Sequence, residues 1–376
     1  MKSELTLFGR NLTLHRYPLR NNETLQAWDA GDEYLINHIE EMALPKQQNI
    51  LLLNDSFGAL ACWFSNQHKV SVISDSHIAH QAIKQNLAQN GGSSVELLTS
   101  HAPLPEKIDL VLMQIPRNNR FLTWQLSQLR QALSPDIPVI AVNKAKEIHS
   151  STLKLFEKHL GTTTTSLAWK KHRLVFSFAN SPQPTEVQPF TTWQVDEHQI
   201  TLKNLPNVYS GESLDQGARF MLEHLPKDSQ HRNAIDLGCG NGVLSVKLAQ
   251  QNPNLAITCV DESYMAVASA QQNLADNIGT GRDLRFVDNN CLDGFTAGEY
   301  DLVVCNPPFH QQQAVTDHIA WQMFCDAKHV LCNGGQLLVI GNRHLGYDVK
   351  LKRLFGKSNV TLVAANKKFV ILQATK

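Results

Sequence analysis

The chain predicts an α/β protein made of two tandem copies of one doubly wound domain, and three observations carry that expectation. Short apolar runs alternate with segments of helical periodicity in both halves. The order of landmarks in the first half recurs in the second. A proline-rich stretch without apolar periodicity separates the two. A length of 376 residues exceeds one core of ordinary size and suits two.

Composition narrows the classes. Hydrophobic residues make up 42% and charged residues 18%, which sets the chain among soluble globular proteins and apart from disordered or fibrous ones. Lysine plus arginine, 34, equals aspartate plus glutamate, 34, so no global positive field exists and a nucleic acid would have to meet a local patch. The seven cysteines are odd in number, scattered and free of any Cys-x-x-Cys pair. That pattern predicts reduced thiols, neither a disulfide framework nor a metal site. The stretch Met1 to Phe8 lacks the apolar core of a leader, and no later run approaches a membrane span. The expectation is a cytoplasmic monomer without membrane or metal partners.

In the first half, Leu25, Trp28, Leu35, Ile36 and Ile39 fall at mixed three- and four-residue intervals, which predicts a helical segment over 23–42. Ile50-Leu-Leu-Leu53 reads as a buried strand stopped by Asn54-Asp55-Ser56-Phe57-Gly58. A strand from Val70 to Ser74 leads into a helix through Ile78, Ala82, Ile83 and Leu87 that stops at Asn90-Gly91-Gly92. Strands from Ile108 to Met113 and from Pro138 to Val142 flank a helical pattern from Leu122 to Leu133. This alternation predicts a parallel sheet. Asn180-Ser-Pro-Gln-Pro-Thr-Glu-Val-Gln-Pro189 then forms a semi-stiff connector, which places the domains at 1–185 and 186–376.

Along the second half, Asp236 matches Asp55, Gln272-Asn273-Leu274 matches Gln85-Asn86-Leu87, and Tyr300-Asp301-Leu302-Val303 matches Ile108-Asp109-Leu110-Val111. Ile340-Gly341-Asn342 parallels Ala141-Val142-Asn143, and Lys367-Lys368 parallels Lys170-Lys171. The copies differ where chemistry would sit. One glycine, Gly58, follows Asp55, whereas Gly238, Gly240 and Gly242 follow Asp236. Ser74 stands in the place of Asp261, and Gln114-Ile115-Pro116-Arg117 in that of Asn306-Pro307-Pro308-Phe309. The first copy therefore reads as degenerate.

Two stretches of the second copy point to a ligand. Ala234-Ile-Asp-Leu-Gly-Cys-Gly-Asn-Gly-Val243 joins a strand to a helix, and Asp261 ends the next strand, where a carboxylate can accept both hydroxyls of a ribose. The spacing is not the dinucleotide Gly-x-Gly-x-x-Gly, and no Lys-Ser/Thr follows as a phosphate loop requires. Asn306-Pro307-Pro308-Phe309 follows the apolar run Asp301-Leu-Val-Val-Cys305. The Asn306 amide and the Pro307 carbonyl supply two acceptors and Phe309 a flat face, which suits an amine on a planar ring or an amide. A Pro-rich turn that merely closes a strand is the plainer role for such a stretch.

Asp236-x-Gly238-x-Gly240-x-Gly242 resembles the cofactor motif of class I S-adenosylmethionine-dependent methyltransferases, and Asn306-Pro-Pro-Phe309 resembles the fourth motif of their amino-methylating members. Over essentially its full length the chain resembles the RsmC/RlmG family of bacterial ribosomal RNA guanine-N2 methyltransferases, which pair a degenerate N-terminal copy with a catalytic C-terminal one. Leu25-Gln-Ala-Trp-Asp29, Thr162-Thr-Thr-Thr-Ser-Leu-Ala-Trp-Lys170 and Thr316-Asp-His-Ile-Ala-Trp321 look like the large-subunit branch, whose substrate is 23S rRNA.

The resemblance implies two Rossmann-like methyltransferase domains and S-adenosyl-L-methionine as cofactor. Asp236, Gly238, Gly240, Gly242 and Asp261 would hold that cofactor, with Asn290 at its adenine amine. Asn306, Pro307, Pro308 and Phe309 would serve the transfer itself. Charge placement, apart from the resemblance, concentrates Lys144, Lys146, Lys154 and Lys158 in one stretch of the first domain and Lys170, Lys171, His172 and Arg173 in another, which suits either a solvated face or a grip on RNA backbone. A shared segment, Val208-Tyr-Ser-Gly with Leu214-Asp-Gln-Gly217, carries Tyr209 where the family suggests Phe; packing across the sheet is its plainer role. The 16S rRNA sibling, a protein glutamine-amide methyltransferase and a non-enzymatic RNA-binding protein stand as alternatives.

Overall fold

The computed structural model describes residues 3–21, 23–183, 186–227, 229–308 and 313–376, without the side chains of residues 313–317. It divides into two compact units, Met1–Pro189 and Phe190–Lys376.

The first unit opens with a hairpin of β1 (Glu4–Leu7) and β2 (Arg10–Thr13), followed by α1 (Ala30–Met42) and β3 (Asn49–Leu53). Next come α2 (Ala59–Phe64), β4 (Lys69–Ser74), α3 (His77–Gln89), β5 (Glu96–Thr99) and β6 (Leu110–Gln114). The unit closes with α4 (Asn119–Ala132), β7 (Pro138–Lys144), α5 (Ser150–His159), β8 (Thr163–Thr165) and β9 (His172–Phe178). Its sheet has the order β5-β4-β3-β6-β7-β9-β8.

The second unit repeats the plan. A hairpin of β10 (Thr191–Val195) and β11 (Ile200–Asn204) precedes α6 (Gln216–Leu222), β12 (Asn233–Leu237), α7 (Val243–Gln251), β13 (Ala256–Asp261) and α8 (Tyr264–Ile278). Then follow β14 (Leu284–Asp288), β15 (Tyr300–Cys305), α9 (Gln313–Val330), β16 (Leu331–Asn342), α10 (Tyr347–Phe355), β17 (Val360–Ala365) and β18 (Phe369–Thr375). The order β14-β13-β12-β15-β16-β18-β17 is that of the first sheet, strand for strand.

The strands read as continuous apolar runs because both faces of each sheet are covered. In β3, Ile50 and Leu52 pack with Leu35 and Ile36 of α1, Leu60 of α2 and Ile83 of α3. Their neighbours Leu51 and Leu53 pack on the other face with Leu122 and Leu126 of α4 and Phe156 of α5. The alternation is the two-residue period of a strand.

Four expectations need correction. The segment 23–42 is helical only from Ala30, because Asp29 ends the preceding chain as an N-cap. Its Oδ1 accepts from the backbone N of Gly31 (2.7 Å), and Asp32 Oδ2 accepts in return from the backbone N of Asp29 (2.9 Å). The sheets are mixed rather than parallel, since β9 and β18 run antiparallel to β7 and β16.

The pairing of Asp55 with Asp236 is three residues out of register. Ile50 lies opposite Leu110 and Ala234 opposite Leu302, so Leu52 corresponds to Asp236 and Asp55 to Cys239. Likewise Val111 faces Val139 and Val303 faces Leu337, so Asn143 corresponds to Gly341, not to Asn342.

Candidate functional site

Register along the second sheet brings the motifs together. Leu237 pairs with Val260 on one side and with Cys305 on the other, so the glycine turn, Asp261 and Asn306 all leave the sheet at the carboxyl ends of neighbouring strands. The strand order reverses between β12 and β15, and crevices of doubly wound sheets open at such a point.

The three glycines of the turn do different things. Gly240 has φ +52, and a Cβ there would meet nothing within 4 Å, so its face is open to a ligand. Gly242, at φ +78, caps α7; a Cβ there would come within 2.9 Å of Ala270 Cβ, so it serves the packing of α7 against α8. Gly238 donates its backbone N–H to the carbonyl of Val260 at 2.8 Å, which ties the turn to β13.

Asp236 does not face the crevice. It is 1% exposed, and its Oδ2 accepts from the Ser245 hydroxyl at 2.7 Å, so the acid supports the turn and α7 from beneath. Burial pushes its carboxyl up to about 7, opposed by the Ser245 hydroxyl and helped by the negative Asp261. Oδ1 of Asp236 is buried with no hydrogen-bond partner among the described residues. Asp261 accepts from the backbone N of Gly240 (2.9 Å) and of Ser263 (3.0 Å), which fixes the carboxylate at the mouth of the turn.

Asn290, 3% exposed, donates its Nδ2 to Asp293 Oδ2 at 2.8 Å. That commits the donor end of the amide, and the carbonyl end is what a ligand amine would meet.

Asn306 follows β15. Its Nδ2 lies 3.4 Å from Asp215 Oδ2, while its Oδ1 is buried with no hydrogen-bond partner among the described residues. An unpaired buried acceptor is costly unless something else fills it. Pro307 is buried and Pro308 exposed, whereas Phe309 and the neighbouring His310 lie outside the described residues. Sequence reasoning placed Asp215 and Tyr209 in one shared segment but gave them no contact with the motif. The structure puts Asp215 beside it and Tyr209 beside Asp215: Tyr209 is 59% exposed rather than packed across the sheet, and its hydroxyl lies 3.5 Å from Asp215 Oδ1.

The first unit carries different side chains at the corresponding place. Asp55 accepts from the backbone N of Gly58 (3.0 Å) and of Ala61 (2.9 Å), filling the start of α2 from inside. Burial raises that carboxyl to about 6. Asn54, with φ +66, stands where the second unit has Gly238, and Ser56 stands in the place of Gly240.

Among the described residues no helix is long and apolar enough to cross a membrane, and no three His, Cys, Asp or Glu side chains gather as a metal would need.

Comparison with known proteins follows the same division. Residues 2–181 match the family model of the RLMG N-terminal domain, and residues 199–373 match the methyltransferase small domain. The chain is 67% identical over 376 residues to a ribosomal RNA large subunit methyltransferase G of Vibrio parahaemolyticus, covering 100% of this chain and 98% of that one. It is 63% identical over 377 residues to the protein of that name in Aliivibrio fischeri, covering 100% and 99%. Among solved structures, the T. thermophilus 16S rRNA N2 G1207 methyltransferase (RsmC), in complex with AdoMet and guanosine, has a TM-score of 0.76 at 19% identity, covering 99% of this chain and 97% of that one. The likeness in structure bears on the fold.

Proposed function

The chain belongs to the ribosomal RNA large subunit methyltransferase G family and is an S-adenosylmethionine-dependent methyltransferase, and we propose that its second unit methylates the exocyclic N2 amine of a guanine in 23S ribosomal RNA. The observation that carries this reading is Oδ1 of Asn306, a buried acceptor with no partner among the described residues, on the strand next to the glycine turn, that an amine hydrogen would satisfy.

The residues present fit the cofactor. Gly240 leaves open backbone, and the Asp261 carboxylate, fixed by the backbone N–H groups of Gly240 and Ser263, is an acceptor of the kind ribose hydroxyls require. The carbonyl end of Asn290 suits an adenine amine. When bound, S-adenosylmethionine supplies the methyl group on its sulfonium.

Catalysis by the chain is then largely a matter of aim. Asn306 Oδ1 and the Pro307 carbonyl accept the two hydrogens of the guanine amine, turn its lone pair away from conjugation with the ring, and stabilise the positive charge that grows on nitrogen. The nitrogen lone pair forms the new N–C bond as the methyl–sulfur bond breaks, and the proton leaves to water afterwards. No strong base is needed in the motif. A guanine must be unstacked to present this edge, and an aromatic at Phe309 would hold the extruded ring.

We further propose that the first unit, at residues 1–185, binds RNA backbone. Lys170 and Lys171 form the tip of a turn closed by the bridge between Trp169 and His172, and both are exposed with left-handed φ of +43 and +65. The enzyme is read as a cytoplasmic monomer.

Transfer of radiolabelled methyl groups tests the activity. Label in large-subunit RNA at a guanine N2 supports it, whereas label in protein glutamine, or in 16S rRNA alone, contradicts it.

A further inference from the structure

We infer that Asp215 is a positioning residue that fixes which end of the Asn306 amide faces the substrate; this rests on the reading of Asn306 as the acceptor for the amine. An asparagine amide is nearly symmetric in shape, but its two ends are opposite in hydrogen bonding, and a flip would offer an N–H to a group that is itself a donor. Among the described residues of the catalytic motif nothing chooses between the ends. Asp215 does: its Oδ2 lies 3.4 Å from Asn306 Nδ2, and a carboxylate can only accept, so the amide nitrogen is held there and Oδ1 is left without a partner among the described residues.

Asp215 is itself held on two sides. As the N-cap of α6 its Oδ2 accepts from the backbone N of Ala218 at 3.0 Å, and its Oδ1 faces the Tyr209 hydroxyl at 3.5 Å. The first unit holds a related contact, although its acid lies inside the first turn of the helix where Asp215 is the N-cap. Gln114, which stands where Asn306 does, donates its Nε2 to Asp32 Oδ1 at 2.6 Å, and Asp32 lies in the first turn of α1, the counterpart of α6. In that unit the acid is deeply buried, whereas Asp215 in the second unit is half-buried. A carboxyl group thus meets the amide at this strand end in both units.

The inference separates orientation from helix capping, because Asn and Ser cap helices about as well as Asp. One oxygen of Asp215, Oδ2, both caps α6 and meets Asn306, so in Asp215→Asn an amide oxygen in that place keeps the cap and the acceptor while its N–H takes the side of Tyr209. In Asp215→Ser the hydroxyl keeps the cap, but the second acceptor that held the Asn306 amide nitrogen is lost and the amide is free to flip. Single-turnover methylation of RNA should fall by about three- to tenfold in D215S and by clearly less in D215N, with S-adenosylmethionine affinity and thermal midpoint close to the parent in both. Equal rates in the two variants, whether parental or reduced, overturn the inference. An Asn306→Ala control measured alongside distinguishes the two levels. If it is inactive while D215S is normal, only the role of Asp215 falls; if it is itself normal, the reading of Asn306 falls.

Discussion

Asn273 and Asn86 hold the same two things together, one in each unit. Asn273 accepts from the backbone N of Lys203 at 2.7 Å and donates to the carbonyls of Lys203 (3.0 Å) and Asn241 (2.9 Å). Asn86 accepts from the backbone N of His15 at 3.0 Å and donates to the carbonyls of His15 (2.8 Å) and Phe57 (2.7 Å). Each side chain is fully buried and sews the segment at the end of the leading hairpin to a helix and to the turn before the next helix. In the second unit that turn carries the glycines. Asn273→Ala strands three backbone groups, of which the Asn241 carbonyl is buried and the two of Lys203 part-buried, and should cost about 2 to 4 kcal/mol of stability. It should also weaken S-adenosylmethionine binding, whereas Asn86→Ala should destabilise its unit and leave cofactor affinity unchanged. Calorimetric titration of both variants below their unfolding temperatures checks this.

Cofactor binding should depend on Asp261 and not on its counterpart. Asp261→Ala removes a charged acceptor at the mouth of the turn and should weaken S-adenosylmethionine binding by about 1.5 to 3 kcal/mol, roughly ten- to more than a hundredfold. Ser74→Ala should leave affinity as it is. Equal losses at the two positions in titration calorimetry would place the cofactor elsewhere.

Stability of the ligand-free protein should carry the mark of Asp236. Its carboxyl is raised from 3.8 to about 7 in the fold, chiefly by burial, so between about pH 4 and pH 7 the folded state keeps a proton that the unfolded chain has released. Stability from this group is therefore greatest at acid pH and is lost as pH rises through that window. Asp236→Asn removes the dependence, and its advantage over the parent should be larger at pH 8 than at pH 5, by on the order of 2 to 4 kcal/mol. Thermal unfolding at the two pH values gives the answer, and an equal difference at both would show that the buried acid does not titrate there.

Much of this was legible in the chain itself, and the failures have physical causes. The alternation of Ile50-Leu-Leu-Leu53, Val70 to Ser74 and their helices marked the sheets, because strands covered on both faces must be apolar throughout. The match of Asp55 to Asp236 failed because the two acids do different work. One lies inside its strand with a serine beneath it, and the other lies in the loop, capping a helix from within. The segment before Ala30 carries helix-like spacing in Leu25 and Trp28, but the Asp29 and Asp32 capping pair sets the boundary, and that signal was in the sequence. The contact of Asp215 with Asn306 spans 91 residues and has no periodic trace.

Charge at the turn of the first unit should act on RNA without touching the chemistry. Lys170 pairs with Glu33 at 2.6 Å and lies over the Trp169 ring, while Lys171 projects into solvent. Reversal of both charges in the full chain should raise the KM for RNA and flatten its dependence on salt, with kcat at saturating RNA little changed, as expected for contacts that position but do not read sequence. An unchanged salt slope would remove this turn from the RNA-binding surface.

The most direct test of the account is single-turnover methylation of large-subunit ribosomal RNA by Asn306→Ala, with S-adenosylmethionine binding measured on the same preparation. The substitution removes the unpaired acceptor and touches none of the groups assigned to the cofactor. Cofactor affinity should persist while methyl transfer falls at least about tenfold. Transfer at the parental rate would contradict the assignment of this amide to the reaction.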